Sequence, residues 1–208
     1  MLDIKQIMDT SPVMPVLVIE DAANALPLAK ALYAGGLKVL EITLRTDAAL
    51  ESIKIIRENL PDAIVGAGTV TDAKSLQAAE KAGSQFFVSP GVSDSLLDAA
   101  KYSSVQLLPG ISTPTEAMRL YEMGFGALKF FPAEAAGGTA MLKAIAGPLP
   151  QLAFCPTGGV NPKNASEYLA LANVRCVGGS WMAPAKLVNE QNWSEIEAMA
   201  KQAASLGQ

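Results

Sequence analysis

Eight times along the chain a short β-branched or aromatic run is followed by a longer helical pattern, and this alternation restricts the fold more than any other feature. The runs are 13–19 (VMPVLVI), 39–44 (VLEITL), 63–69 (AIVGAGT), 85–89 (QFFVS), 105–111 (VQLLPGI), 127–133 (ALKFFPA), 152–158 (LAFCPTG) and 174–179 (VRCVGG). They recur roughly every 20 to 25 residues, the length a tight strand–helix unit requires. The punctuation between them agrees. Thr113, Pro114 and Glu116 supply an N-cap, a proline at the first helical position and a capping-box acid. Asn161-Pro162 and the pair Ser194/Glu197 predict two further helix starts, and Gly35-Gly36, Gly83 and Gly124 predict left-handed C-caps. The pattern predicts an α/β fold: a single-domain (β/α)8 TIM barrel over 1–208, with a short N-terminal helix at 2–9. An open, doubly wound sheet is the structural alternative. No G-x-G-x-x-G follows the first strand, so a dinucleotide site there has no support.

Composition narrows the chemistry. Among 208 residues there is no histidine, which removes Ser-His-Asp and Cys-His catalysis, histidine metal sites and imidazole proton shuttles together. Acid–base work near neutrality then falls to a carboxylate, a lysine, a tyrosine or water. The two cysteines, Cys155 and Cys176, are too few for a disulfide framework or a four-cysteine zinc site, and their apolar strand context predicts core packing. Neither a metal nor a cofactor is expected. A net charge of −4 offers no general attraction for nucleic acid or anionic lipid. The N-terminus has no signal-peptide pattern, and the charge-free stretch 144–162 is broken by Pro148, Pro150, Pro156 and Pro162, so a soluble, cytoplasmic protein is expected. Only 17% of residues are charged, which suits either a large core or a buried subunit interface.

Strand alternation then locates candidate chemistry. On the second strand Leu40, Ile42 and Leu44 share one face and Glu41, Thr43 and Arg45 the other. With the apolar set against the helices, the polar set faces the barrel axis. On the sixth strand Leu128 and Phe130 oppose Lys129 and Phe131, so Lys129 faces inward. Both strands are even-numbered, and one interior layer draws on alternate strands. A glutamate and a lysine are therefore expected to meet across the barrel, either as a structural ion pair or as a reactive one. Apolar neighbours Leu128, Phe130, Phe131 and Pro132 disfavour the ammonium form of Lys129. A neutral lysine amine attacks a ketone to form a Schiff base, and a carboxylate such as Glu41 can move the protons. The seventh and eighth strands end in Thr157-Gly158-Gly159 and Gly178-Gly179-Ser180. Such turns are either simple bends or a phosphate cradle, and barrels commonly hold phosphate after these two strands. Ser180-Trp181-Met182 is expected to begin the short extra helix of such a site. Thr69 and Pro90 also end strands at the expected mouth, with Thr69 placed to bond a substrate or to cap the next helix.

In this order and spacing, VLEITLRT, VGAGTV, SPG, LPGIST, LKFFPAE, CPTGGV and GGSW resemble the 2-keto-3-deoxy-6-phosphogluconate aldolase family, also called 4-hydroxy-2-oxoglutarate aldolases. The likeness covers nearly the whole chain and is weakest at its two ends. It implies a class I aldolase on a (β/α)8 barrel, commonly a homotrimer, that splits the phosphorylated keto acid to pyruvate and glyceraldehyde 3-phosphate. By the same likeness Lys129 matches the Schiff-base lysine and Glu41 the proton-transferring glutamate. Arg45 and Thr69 match positions holding the pyruvyl carboxylate, with Pro90 and Phe131 beside the substrate. Gly158, Gly159, Gly179 and Ser180 match the phosphate end. Thr157 matches a position tied to stereochemical preference, where threonine favours the gluconate over the galactonate epimer. Two other function classes fit the Gly turns without covalent chemistry: a phosphosugar isomerase or decarboxylase, and a non-catalytic phosphometabolite-binding barrel.

Overall fold

The computed structural model describes residues 3–207. Position 2 of the expected N-terminal helix, and positions 1, 2 and 208 of the expected domain, lie outside the described residues. The strands are β1 (Val13–Leu17), β2 (Val39–Thr43), β3 (Ile64–Gly68), β4 (Phe86–Val88), β5 (Gln106–Leu108), β6 (Gly110–Ile111), β7 (Ala127–Phe130), β8 (Ala153–Pro156) and β9 (Val177–Gly179). The helices are α1 (Ile4–Met8), α2 (Ala25–Ala34), α3 (Ala49–Asn59), α4 (Ala73–Lys81), α5 (Asp94–Tyr102), α6 (Pro114–Glu122), α7 (Gly138–Ala146), α8 (Ala165–Leu169), α9 (Ala185–Asn189) and α10 (Trp193–Ala204). Among the described residues no helix is long and apolar enough to cross a membrane.

All ladders are parallel, and β5-β4-β3-β2-β1-β9 form one sheet and β6-β7-β8 another. Strands β1 to β5 add in one direction without the reversal that defines a doubly wound sheet, so that alternative is excluded. Isolated bridges Phe154↔Val174 and Thr157↔Gly178 link β8 to the β9 segment. The run expected as one fifth strand is two, because Pro109 between β5 and β6 has no N–H for the ladder.

Period-two alternation sorts the strand residues into two cores. Val13, Leu40, Ile42, Phe87, Leu107, Leu128, Phe130, Phe154 and Val177 belong to the larger cluster, against the helices. Their immediate neighbours Met14, Val39, Phe86, Val88, Leu108, Ala127, Cys155 and Cys176 form a second cluster with Ile7 and Met8 of α1. The short N-terminal helix therefore packs on the inner faces of the strands, at their N-terminal ends. The helices present apolar stripes at the expected spacing, such as Ala49, Ile53 and Ile56 on α3.

Three helix starts differ from expectation or add to it. Helix α6 begins with the expected Thr113/Glu116 capping box, and α4 has an unexpected one from Asp72 and Ser75. Asn192, not Ser194, caps α10, accepting from Glu195 N; Ser194 Oγ bonds to the Asn192 side chain instead. After Asn161-Pro162 a turn precedes α8, whose cap position is Asn164.

Candidate active site

Following the inner faces of β2 and β7 upward leads from an apolar floor to charged side chains. On β2 the face runs Val39, Glu41, Thr43 and then Arg45; on β7 it runs Ala127, Lys129 and then Phe131. Both strands deliver their first inner residue to the cluster beneath. The next inner residues meet: Lys129 Nζ lies 3.5 Å from Glu41 Oε1, with both residues at most 5% exposed. Lys129 Nζ also sits 5.3 Å from the centre of the Phe131 ring. Space for the carboxylate comes from β3, where a Cβ on Gly68 would fall 2.1 Å from Glu41 Oε1.

Above this pair opens a cavity of about 340 Å³. Every candidate site residue from the sequence lines it: Glu41, Arg45, Thr69, Pro90, Lys129, Phe131, Thr157, Gly158, Gly159, Gly179 and Ser180. Gly178 of the second Gly turn lines it too, and Val16, Thr43 and Val160 complete the wall without having been assigned a role. Thr43 has a definable one. Its buried hydroxyl donates to Leu17 O at 2.8 Å and accepts from Arg45 Nε at 3.1 Å, orienting an otherwise exposed guanidinium. Alternation had already put Thr43 on the inner face; its two partners depend on the neighbouring strand and the chain beyond β2.

Thr69 has a φ of 59°, a left-handed conformation costly for a β-branched residue. Its neighbours hold it there, since Gly68 O accepts from Leu44 N at 2.8 Å and Val70 N donates to Val88 O at 3.1 Å. Helix α4 is capped by Asp72, so Thr69 is not its cap. Such strain of about 1–3 kcal/mol concentrates at functional sites.

At the far end of the cavity Gly158 and Gly159 have φ of 98° and 83°, a pair of conformations that only glycine adopts at little cost. Gly178 leaves room for Thr157, whose Oγ1 would lie 2.2 Å from a Cβ there. The expected helix at Ser180-Trp181-Met182 is absent: Ala183 N bonds to Ser180 O in a turn, and the Trp181 ring packs against Gly179. With the ring on Gly179, the chain turns once and reaches α9 only at Ala185. Glu134, a second carboxylate near this end, is exposed, does not line the cavity, and accepts from the Tyr168 hydroxyl. Burial raises the Tyr168 hydroxyl above its ordinary range, and the bond to Glu134 raises it further, so the phenol is kept protonated as a donor.

Cys155 and Cys176 are free and buried in the floor, as their sequence context predicted. The Cys176 thiol is pushed up by its hydrogen bond to Cys155 and by burial, which makes it inert. A larger cavity, about 460 Å³, lies at the opposite ends of the strands. Several of its polar groups have structural tasks: Asp3 caps α1, Gln106 Oε1 accepts from Ile4 N, and Ser103 Oγ donates to Glu80. The buried Lys129–Glu41 pair lines the smaller cavity.

The family model described as KDPG and KHG aldolase matches residues 4–199. The chain belongs to the KDPG and KHG aldolase family. Within this family, the 2-dehydro-3-deoxy-phosphogluconate aldolase of Pseudoalteromonas atlantica is 54% identical over 97% of this chain and 94% of its own. The KHG/KDPG aldolase of Escherichia coli K12 is 48% identical over 96% of this chain and 93% of its own. The crystal structure of KDPG aldolase from Legionella pneumophila, 46% identical, superposes with a TM-score of 0.96, covering 98% of this chain and 99% of that one. That structure holds pyruvate captured at low pH as a covalent carbinolamine intermediate.

Proposed function

We propose that this chain is a class I, metal-independent aldolase that cleaves 2-keto-3-deoxy-6-phosphogluconate to pyruvate and glyceraldehyde 3-phosphate, with Lys129 as nucleophile and Glu41 as proton carrier. The same chemistry splits 4-hydroxy-2-oxoglutarate to pyruvate and glyoxylate. The observation that carries the residue assignment is the buried Lys129–Glu41 contact at the floor of the cavity. A purely structural pair is a poor alternative, because apolar packing in place of a buried ion pair is often neutral or stabilising by about 1–4 kcal/mol. Covalent chemistry gives the pair a reason to exist.

The Lys129 amine attacks the C2 carbonyl, and the carbinolamine loses water to form an iminium. Glu41 takes the proton of the C4 hydroxyl. The C3–C4 bond then breaks, its electron pair enters the iminium as an enamine, and C4 leaves as the aldehyde. Protonation of the enamine at C3 and attack of water at C2 release pyruvate and regenerate the amine. Arg45, oriented by Thr43, and Thr69 hold the keto-acid carboxylate, with Phe131 and Pro90 against the chain of the substrate. Gly158, Gly159, Gly179 and Ser180 hold the phosphate, the backbone supplying N–H donors. Thr157 faces the hydroxyl-bearing carbons and favours the gluconate epimer.

The architecture in this proposal is one (β/α)8 barrel domain over 1–208. The β8–β9 bridges and the consecutive β5 and β6 support closure of the two sheets. We also propose a cytoplasmic homotrimer. A phosphorylated substrate does not cross membranes unaided, which supports the first; the low charged fraction of the chain, 17%, supports the second.

The decisive test is reduction with borohydride in the presence of pyruvate, followed by peptide mapping. The adduct is expected on Lys129. A label on Lys38, Lys143 or another lysine overturns the assignment, and no label at all overturns the Schiff-base mechanism.

A further inference from the structure

The turn at the phosphate end is held by its carbonyls. Thr157 O accepts from Ala133 N at 2.8 Å and Gly158 O from Glu134 N at 3.1 Å. Gly159 O accepts from the side chains of Asn161 and Asn164, at 3.0 and 3.2 Å. A trans peptide places its N–H opposite its C=O. With these three carbonyls tied to the protein, the N–H groups of Gly158, Gly159 and Val160 each point away from the bonded carbonyl of their own peptide and are left for an anion at the cavity these residues line.

Glu134 is embedded in this arrangement. Beyond its backbone bond, its Cγ lies 2.5 Å from where a Cβ on Gly159 would be, so its side chain crosses directly over the turn. The carboxylate at its end is an anion beside an anion site, and it is exposed. What holds it is the hydroxyl of Tyr168, a fully buried residue of α8 that does not line the cavity. Gly138, at the start of α7, packs against the same contact: a Cβ there would lie 3.3 Å from the Tyr168 hydroxyl and 3.5 Å from Glu134 Oε1.

We propose that Tyr168 is a positioning residue for phosphate recognition, acting through Glu134 on the Gly158-Gly159 turn. Its hydroxyl holds the Glu134 carboxylate off the turn's N–H groups. Without that bond the carboxylate swings onto them and competes with the substrate phosphate. The proposal rests on the Gly turns being the phosphate end of the site.

Three variants test it, with steady-state kinetics on 2-keto-3-deoxy-6-phosphogluconate and on 4-hydroxy-2-oxoglutarate. Tyr168→Phe keeps the buried ring and removes the hydroxyl. It is expected to raise the KM for the phosphorylated substrate about tenfold, the scale of one lost hydrogen bond to a charged group, with a far smaller change for 4-hydroxy-2-oxoglutarate. The inhibition constant of inorganic phosphate should rise in parallel. Adding Glu134→Gln to Tyr168→Phe removes the competing charge and is expected to restore most of the KM. A purely structural role for Tyr168 would impair both substrates alike and would not be rescued; either result overturns the proposal, as does an unchanged KM. If Tyr168→Phe does not fold, Glu134→Gln alone decides: equal or lower KM for the phosphorylated substrate supports the proposal and a large rise overturns it. Ser180→Asp separates the two levels of the argument. If it raises the KM for the phosphorylated substrate selectively and Tyr168→Phe does not, only the Tyr168 proposal fails. If neither is selective, the phosphate assignment itself fails.

Discussion

In the proposed mechanism Glu41 and Lys129 divide the labour of one reaction, and their separation of 3.5 Å suits proton exchange between them. As proposed, Lys129 makes and breaks the covalent bond and Glu41 moves protons before and after it. Glu41→Gln preserves shape and removes the base, and loss of a general base typically costs about a hundred- to ten-thousand-fold in rate. The variant should still show slow pyruvate trapping by borohydride, while exchange of the pyruvate methyl protons with deuterated solvent, followed by NMR, collapses. Normal methyl exchange would remove Glu41 from the role. Glu134 would not replace it, since its carboxylate is committed to Tyr168 outside the cavity. The neighbouring glycines belong to the same design: Gly68 and Gly178 give up side chains so that Glu41 and Thr157 can occupy the interior.

At the scale of elements, each strand carries both a structural and a chemical sequence, one per face. The outer face is uniformly apolar against the helices. On β2 and β7 the inner face changes from apolar to charged along the strand, so the same β2 that supplies Val39 to the floor supplies Glu41 to the cavity. The helices hold this register from outside, and α10 folds back onto α2 to complete the layer. That contact depends on Gly35 for a reason other than chain reversal. Gly36 takes the left-handed φ of 98°, whereas Gly35 has an ordinary helical φ of −72°. Gly35 is small because a Cβ there would fall 2.4 Å from Ala200 Cβ and 2.7 Å from Glu197 O. Gly35→Ala is therefore expected to overpack the α2–α10 contact at a cost of about 1–3 kcal/mol. Thermal unfolding should show a Tm lower by roughly 2–10 °C, with kcat on either substrate nearly unchanged; an unaltered Tm would mean that α10 yields freely.

For the whole molecule, the two ends of the strands have different tasks. The N-terminal ends are covered by α1 and an apolar floor; the C-terminal ends carry the cavity and its loops. The outside is less uniform. Of the large apolar side chains left exposed, Tyr102, Met118, Tyr121 and Met123 all lie at the end of α5 or on and just after α6. An assembly of copies would remove such side chains from water. Sedimentation at micromolar concentration is expected to give the mass of a homotrimer, and a stable monomer would contradict it.

Period-two and helical alternation are local properties, so the strand runs and their inner and outer faces were legible in the amino-acid order; eleven of the fifteen residues lining the cavity were picked out from those faces, the strand-end turns and the family likeness together. The Thr113/Glu116 box was legible for the same reason, since both partners lie within one helical turn. Tertiary structure decided what depends on distant neighbours. Glu41 and Lys129 are 88 positions apart, and only the curling of the sheets sets the distance between them. Thr43 acquires a role because β1 places the Leu17 carbonyl beside its hydroxyl. Trp181 gives up a helix to pack on Gly179, and Asn192 rather than Ser194 stands where the chain enters α10. Tyr168 reads as one more helical aromatic until α8 is docked and its hydroxyl meets Glu134. In each case the local pattern permits several outcomes of nearly equal free energy, and a contact made far along the chain selects one.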